Sequence, residues 1–75
     1  MVENTGYENV AGDMLIELLI GSAINESQWY CKIRENAVYG TGLGDHDETY
    51  ANAQYEYFRD NTDKLRAELS KRLNS

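Results

Sequence analysis

The chain has 75 residues with no proline and one cysteine, and its net charge is −6. This length limits it to one domain, predicted to span residues 1–75, whose small core needs a disulfide, a metal, a partner subunit or closely packed helices for stability. Because Cys31 has no second cysteine to pair with, an internal disulfide is excluded, and we expect Cys31 to be a small apolar core residue of a protein in a reducing compartment.

The charge distribution argues against direct binding of nucleic acid. Residues 1–60 carry eleven acidic and three basic side chains, and only residues 61–75 have a basic excess. DNA or RNA binding requires a basic face that neutralises phosphates, whereas an acidic chain suits a basic surface on another protein. No secretory signal and no apolar run of about 20 residues is present. We therefore predict a cytoplasmic protein that binds another protein and no membrane.

The first half of the chain predicts an apolar helix whose surface is too large for the remaining residues to bury. Residues 1–8 are polar and predicted to be frayed. Residues 10–24 are apolar almost all round, apart from a strip formed by Asp13 and Glu17, which is typical of a helix buried on most sides. Since 75 residues offer too little other chain for this, we expect a homodimer whose interface contains Ile16, Leu19, Ile20 and Ala23. The alternative is a central helix covered by the two other segments of a single chain.

A second apolar pattern covers residues 26–38. Trp29, Ile33 and Ala37 recur every four residues, which favours a helix. The alternation of Trp29, Cys31 and Ile33 with polar neighbours also allows a strand. Because the apolar face of residues 10–24 continues through Trp29 and Ile33, one long helix from the first segment to the second is a further alternative.

Gly40, Gly42 and Gly44 place a glycine-rich loop at residues 39–46, after which a last helix is predicted for residues 48–73. Asp45 and Asp47 are suitable N-cap residues for this helix. A break at residues 60–63 is an alternative, since that stretch is rich in capping residues. The predicted core face contains Tyr50, Gln54, Phe58, Asn61, Leu65 and Leu69. The fold class is therefore all-α, a helical hairpin or small bundle of two to three helices, completed by homodimerisation.

The motifs that would indicate catalysis or a cofactor are incomplete. The loop sequence GTGLG resembles a phosphate-binding turn in its glycines, but acidic residues follow where a P-loop has Lys and Ser or Thr. The cluster of Asp45, His46, Asp47 and Glu48 lacks calcium-loop spacing, and no motif activates Cys31 as a nucleophile. We expect no enzyme activity, no cofactor and no metal; an enzyme or metal protein that uses His46 is the weakest hypothesis.

Tyrosines beside carboxylates are the stronger functional signal. Tyrosine is common at protein interfaces because it offers a large rigid surface with a polar tip. The predicted partner-binding surface contains Tyr39, Asp45, Asp47, Glu48, Tyr55, Glu56 and Tyr57.

Two functions follow from these patterns. The first is a small acidic interaction module that occupies the basic, nucleic-acid-binding surface of a partner, as phage or mobile-element anti-CRISPR and anti-restriction inhibitors do; this comparison rests on size and charge. The second is a self-assembling structural or regulatory subunit whose main surface is the apolar first helix.

Overall fold

The polypeptide folds into a hairpin of two long helices. The computed structural model describes residues 5–44 and 46–74. Helix α1 spans Gly12–Tyr39 and helix α2 spans Glu48–Leu73, and no strand occurs in the described residues. The molecule measures 46 × 24 × 17 Å, as expected for two helices side by side, since one helix with its side chains is about 10–12 Å across. The predicted all-α fold is confirmed at this level.

Helix α1 runs without a break through both segments predicted in the first half of the chain. At the predicted boundary the Asn25 side-chain amide donates a hydrogen bond to the Gly21 carbonyl oxygen over 2.9 Å, so this polar residue is accommodated on the helix surface. The alternative of one long helix is confirmed, and the strand alternative for residues 26–38 is wrong. Trp29 and Ile33 are both half-buried, because a four-residue spacing puts them on the same face of a helix.

The chain that follows α1 turns sharply at Gly40 and lies back against α1 at Gly42. Gly40 ends the helix in the left-handed conformation with φ of 74°, and its N–H donates to the Asn36 carbonyl oxygen over 2.9 Å. Gly42 passes so close to α1 that an added Cβ would overlap the Lys32 carbonyl oxygen and lie 2.7 Å from the Asn36 amide nitrogen. The turn is therefore fixed by close backbone packing at Gly42.

Leu43 is the loop residue that packs into the core. Its side chain is 7% exposed, and it lines a pocket of about 190 Å³ together with Ile33, Ala37 and Ala51. The Leu43 carbonyl oxygen also accepts a hydrogen bond from the His46 N–H over 3.1 Å. The loop thus closes one end of the space between the helices.

Helix α2 begins at Glu48, where the sequence predicted it. The Asp47 carboxylate accepts a hydrogen bond from the Tyr50 N–H over 2.6 Å, which confirms Asp47 as the N-cap residue. The helix continues through residues 60–63, so the break considered there is wrong.

The two helices meet along a narrow seam. At its middle the Ser22 and Thr62 hydroxyl oxygens lie 2.8 Å apart, and the Phe58 carbonyl oxygen is 3.1 Å from the first and 2.7 Å from the second. Since each hydroxyl has one proton, one of them donates to this carbonyl and the other donates to its neighbouring hydroxyl. These small side chains satisfy each other and let the helices approach. In the described residues, the buried apolar side chains are Leu15, Leu43, Ala51 and Leu65.

The predicted core of α2 is right at its C-terminal half and wrong at its start. Leu65 is buried, but the Tyr50 side chain is 46% exposed, because the buried face passes through its neighbour Ala51 instead. Cys31, predicted as a core residue, is also exposed, since it lies on the side of α1 opposite Leu15.

Most of the apolar surface of α1 is uncovered in this single chain. Leu15 is the one residue of α1 that is buried, and eight large apolar side chains of the helix are exposed: Met14, Ile16, Leu18, Ile20, Ile24, Tyr30, Val38 and Tyr39. Neither helix in the described chain combines the length and the apolar character needed to cross a membrane. Dimerisation through this surface stays a prediction.

We predict that Gly42→Ala destabilises the hairpin by about 1–3 kcal/mol, because the new Cβ overlaps backbone atoms of α1 that cannot rotate away. Urea unfolding followed by circular dichroism measures this. The matched control is Gly21→Ala, where a Cβ has no atom within 4 Å, and where we expect a gain of up to about 1 kcal/mol. An equal response at the two glycines would contradict the close packing of the loop.

Candidate functional site

The four residues predicted to form a dimer interface lie on one side of α1. Ile16 and Ile20 are 48% and 55% exposed, and Ala23 is exposed beside them. Leu19 is half-buried and lines, with Ala23, an open groove of about 540 Å³ between the helices. The exposed members continue along α1 as one strip, here called the outer α1 face and formed by Ile16, Ile20, Ala23, Ile24, Ser27 and Cys31.

Aromatic rings cluster at the end of the hairpin that carries the loop. The His46 ring stacks on the Tyr50 ring, with centroids 5.0 Å apart and planes 20° apart. The edge-on Trp29 ring joins α1 to this pair, with centroids 5.4 Å from His46 and 5.7 Å from Tyr50. The Lys32 ammonium group lies 4.6 Å from the Trp29 ring centroid. The His46 side chain is exposed, and its ring belongs to this cluster.

Three predicted partner-binding residues lie at this same end. Tyr39 is the last residue of α1, and its side chain is 75% exposed. Asp47 caps α2, and the adjacent Glu48 carboxylate accepts a 3.4 Å hydrogen bond from the Asn36 side-chain amide. Asp45, the fourth predicted residue here, lies outside the described residues. We call this region the loop-end surface, formed by Trp29, Tyr39, His46, Asp47, Glu48 and Tyr50.

The remaining predicted partner-binding residues lie along the middle of α2 and point in different directions. Tyr55 is half-buried, lines the groove beside Leu19, and its ring centroid is 5.9 Å from that of Tyr30. Tyr57 is 60% exposed and borders a different groove, with its ring against Phe58. Glu56 faces outward, away from both grooves. The structure therefore does not bring all seven predicted residues into one patch.

A buried carboxylate that the sequence analysis did not identify lies at the other end of the hairpin. Glu68 is 2% exposed and accepts hydrogen bonds from the Arg72 guanidinium and the Thr5 hydroxyl, each over 2.8 Å. The Lys71 ammonium group lies 3.2 Å from the same carboxylate. The hydrogen bond from Arg72, followed by the one from Thr5, lowers the pKa of Glu68 from 4.5 to about 2.

This cluster attaches the N-terminal segment to α2. The Arg72 guanidinium donates to the backbone carbonyl oxygens of Tyr7 and Glu8, over 3.0 and 3.4 Å, and Lys71 lies 3.9 Å from the Glu8 carboxylate. The frayed state predicted for residues 1–8 stays a prediction. In sequence, the signal for this cluster is the spacing of Glu68, Lys71 and Arg72 by three and four residues, which places all three on one helix face.

The described residues contain no group of three His, Cys, Asp or Glu side chains arranged to hold a metal ion. What the surface offers is noncovalent contact: aromatic rings with carboxylates at the loop end, and aliphatic side chains on α1. Comparison with known protein families, with curated proteins and with solved structures found no match to this chain.

We predict that Glu68→Gln lowers the thermal unfolding midpoint at pH 7 and reduces its dependence on acid pH. A carboxyl whose pKa is lowered on folding stabilises the folded state above pH 4.5, and this contribution is lost as the pH falls from 4.5 towards 2. Circular dichroism melts between pH 7 and pH 2 measure both effects. The matched control is Glu56→Gln at an exposed position of α2. If Glu68→Gln retained the full wild-type loss of stability in that window, another group would be responsible.

Proposed function

We propose that this protein is an interaction module that binds a basic surface of a partner protein through its loop-end surface. The observation that carries this proposal is the cluster of the exposed His46 and Tyr50 rings with the half-buried Trp29 ring, next to the carboxylates of Asp47 and Glu48 at the start of α2. Trp and Tyr are the residues that contribute most often to binding energy at protein interfaces.

Electrostatics support a basic partner. The chain has a net charge of −6, and its loop region carries acidic side chains at the start of α2. Carboxylates that face lysine and arginine side chains accelerate association and discriminate against acidic partners, and both effects weaken as salt is added. The Tyr39 side chain, which is 75% exposed at the end of α1, offers further contact area at the same end of the hairpin.

The proposal extends to inhibition of a nucleic-acid-binding protein in the cytoplasm. Carboxylates at the end of the hairpin carry charge of the same sign as the phosphates of a nucleic-acid strand, so they suit the same basic side chains of a partner. Such a module blocks the cleft that the strand would enter, and needs neither catalysis nor a cofactor. Phage and mobile-element inhibitors of CRISPR or restriction enzymes are the class of protein to which this proposal assigns the chain.

We predict that Glu48→Lys and Tyr39→Ala each weaken partner binding by about tenfold, the range typical of an interface residue worth more than about 1 kcal/mol. Affinity capture from the source cells identifies the partner, and calorimetry with the purified pair gives the dissociation constants. The partner should also be released by competing DNA or RNA.

The matched control is Asp63→Lys, the same kind of charge reversal on the exposed outer side of α2. Circular dichroism verifies that each variant is folded. The proposal is wrong if Glu48→Lys and Asp63→Lys bind the partner with equal affinity, because a charge reversal at the loop-end surface would then have no greater effect than one elsewhere on the chain.

A second candidate function, self-assembly, is favoured by the outer α1 face. Ile16, Ile20 and Ile24 are each about half exposed on α1, at 48%, 55% and 51%, in a hairpin that buries little apolar surface of its own. Contiguous exposed apolar residues on a small domain mark interaction sites. A self-assembled form would present more than one loop-end surface, so the two candidate functions are compatible.

We predict that Ile20→Glu reduces self-association while the helix content stays unchanged, because the side chain is 55% exposed in the single chain. Burying a carboxylate at a subunit interface is unfavourable, so the dissociation constant should rise at least about tenfold. Sedimentation velocity over a concentration series measures this. Ala53→Glu on α2 adds the same charge at another exposed position and should leave association unchanged. A wild-type chain that stays monomeric at high concentration would contradict this function.

A further inference from the structure

The outer α1 face has a nearly symmetric pattern along the helix. Its members follow one another at intervals of mostly three and four residues, which is the spacing of a helix–helix seam. Counted outward from the point between Ala23 and Ile24, Ile20 corresponds to Ser27 and Ile16 corresponds to Cys31. Bulky aliphatic side chains thus lie on one side of this point, and smaller ones lie at the matching positions on the other.

Opposite charges flank this pattern at equal distances. Asp13 precedes Ile16 by three residues, and Arg34 follows Cys31 by three residues. Both side chains are exposed, and the Arg34 guanidinium makes only a long 3.5 Å hydrogen bond to the Tyr30 hydroxyl among its described contacts. The face is therefore complementary in charge and in side-chain size to a reversed copy of itself.

We propose that the outer α1 face binds the same face of a second copy of this chain, with the two α1 helices antiparallel and a twofold axis between Ala23 and Ile24. This inference rests on the proposed self-assembly and specifies its geometry. Ile16 of each copy contacts Cys31 of the other, and Ile20 contacts Ser27. Large residues then meet small ones, which lets the helices pack closely.

The antiparallel orientation follows from the charges at the two ends. It places Asp13 of each copy opposite Arg34 of the other, which forms two ion pairs across the interface. A parallel arrangement would place Asp13 opposite Asp13 and Arg34 opposite Arg34, and both contacts would be repulsive. Because each copy carries a net charge of −6, an arrangement that pairs opposite charges is favoured at the interface.

The proposed dimer has a consequence for the loop-end surface. Antiparallel α1 helices direct the two loops to opposite ends of the assembly. With a rise of 1.5 Å per residue, the two Tyr39 residues are separated by roughly 45 Å along the helix axes. The dimer therefore presents two separate binding surfaces, one at each end.

Disulfide trapping of the full chain tests this geometry. Ile16→Cys creates a partner for the natural Cys31 of the second copy, and mild oxidation should give a covalent dimer on a non-reducing gel. Within one chain the two sulfur atoms are about 22 Å apart along α1, too far for an internal disulfide. The wild type, with Cys31 alone, and Ile16→Cys combined with Cys31→Ser should both stay uncrosslinked.

Sedimentation velocity on the same samples distinguishes failure of the antiparallel geometry from failure of self-assembly. A wild-type dimer that crosslinks through Cys31 alone has parallel helices, which overturns this inference and leaves self-assembly intact. A wild-type monomer overturns both. A dimer in which no variant crosslinks uses another surface, and this also overturns the inference.

Charge exchange provides an independent measurement. Asp13→Arg should weaken the wild-type dimer about three- to tenfold, as expected for exposed ion pairs replaced by like charges. Adding Arg34→Asp should restore the affinity, because the pairs reappear with reversed sign. Failure of the second substitution to restore association would show that Asp13 and Arg34 do not face each other.

Discussion

The single seam between α1 and α2 is the constraint on which the rest of the structure depends. A helix in a two-helix hairpin has one neighbour, so only one narrow strip of its surface is buried. Along this strip Leu15 and Leu65 supply apolar contact, and the Ser22 and Thr62 hydroxyls satisfy each other at the point of close approach. Everything outside the strip faces solvent in the single chain, including most of the apolar surface of α1.

The two ends of the seam are closed by different contacts. One end holds a buried ionic cluster that stabilises the fold, and the other holds the proposed binding surface. At the end of the hairpin opposite the loop, the Glu68 carboxylate is hydrogen-bonded to Thr5 and Arg72 and ion-paired with Lys71. This cluster stabilises the fold and leaves little polar capacity for a ligand. At the loop end, Leu43 closes the core from inside, so the surrounding aromatic and acidic groups stay on the surface. The proposed binding function is therefore assigned to the loop end.

Sequence patterns predicted the helices more completely than they predicted which side chains share a surface. Helix α2 was predicted with its observed bounds, because the Asp47 cap and an uninterrupted helical pattern are local signals. The core position of Tyr50 was wrong because a rotation of one residue, to Ala51, moves the buried face. Helical periodicity places Tyr55 and Tyr57 on opposite sides of α2, and they border different grooves, so the partner-binding residues predicted from the sequence do not form one patch.

The sequence alone determined an acidic chain with a glycine-rich turn before a capped helix that begins at Glu48, since charge, capping and helical periodicity are properties of neighbouring residues. Tertiary structure decided which face of each helix is covered, because that depends on where the partner helix lies. It made α1 continuous, brought Trp29 to His46 across the turn and buried Glu68 beneath Thr5. Contacts of this kind join residues that are distant in the chain, so no local pattern specifies them.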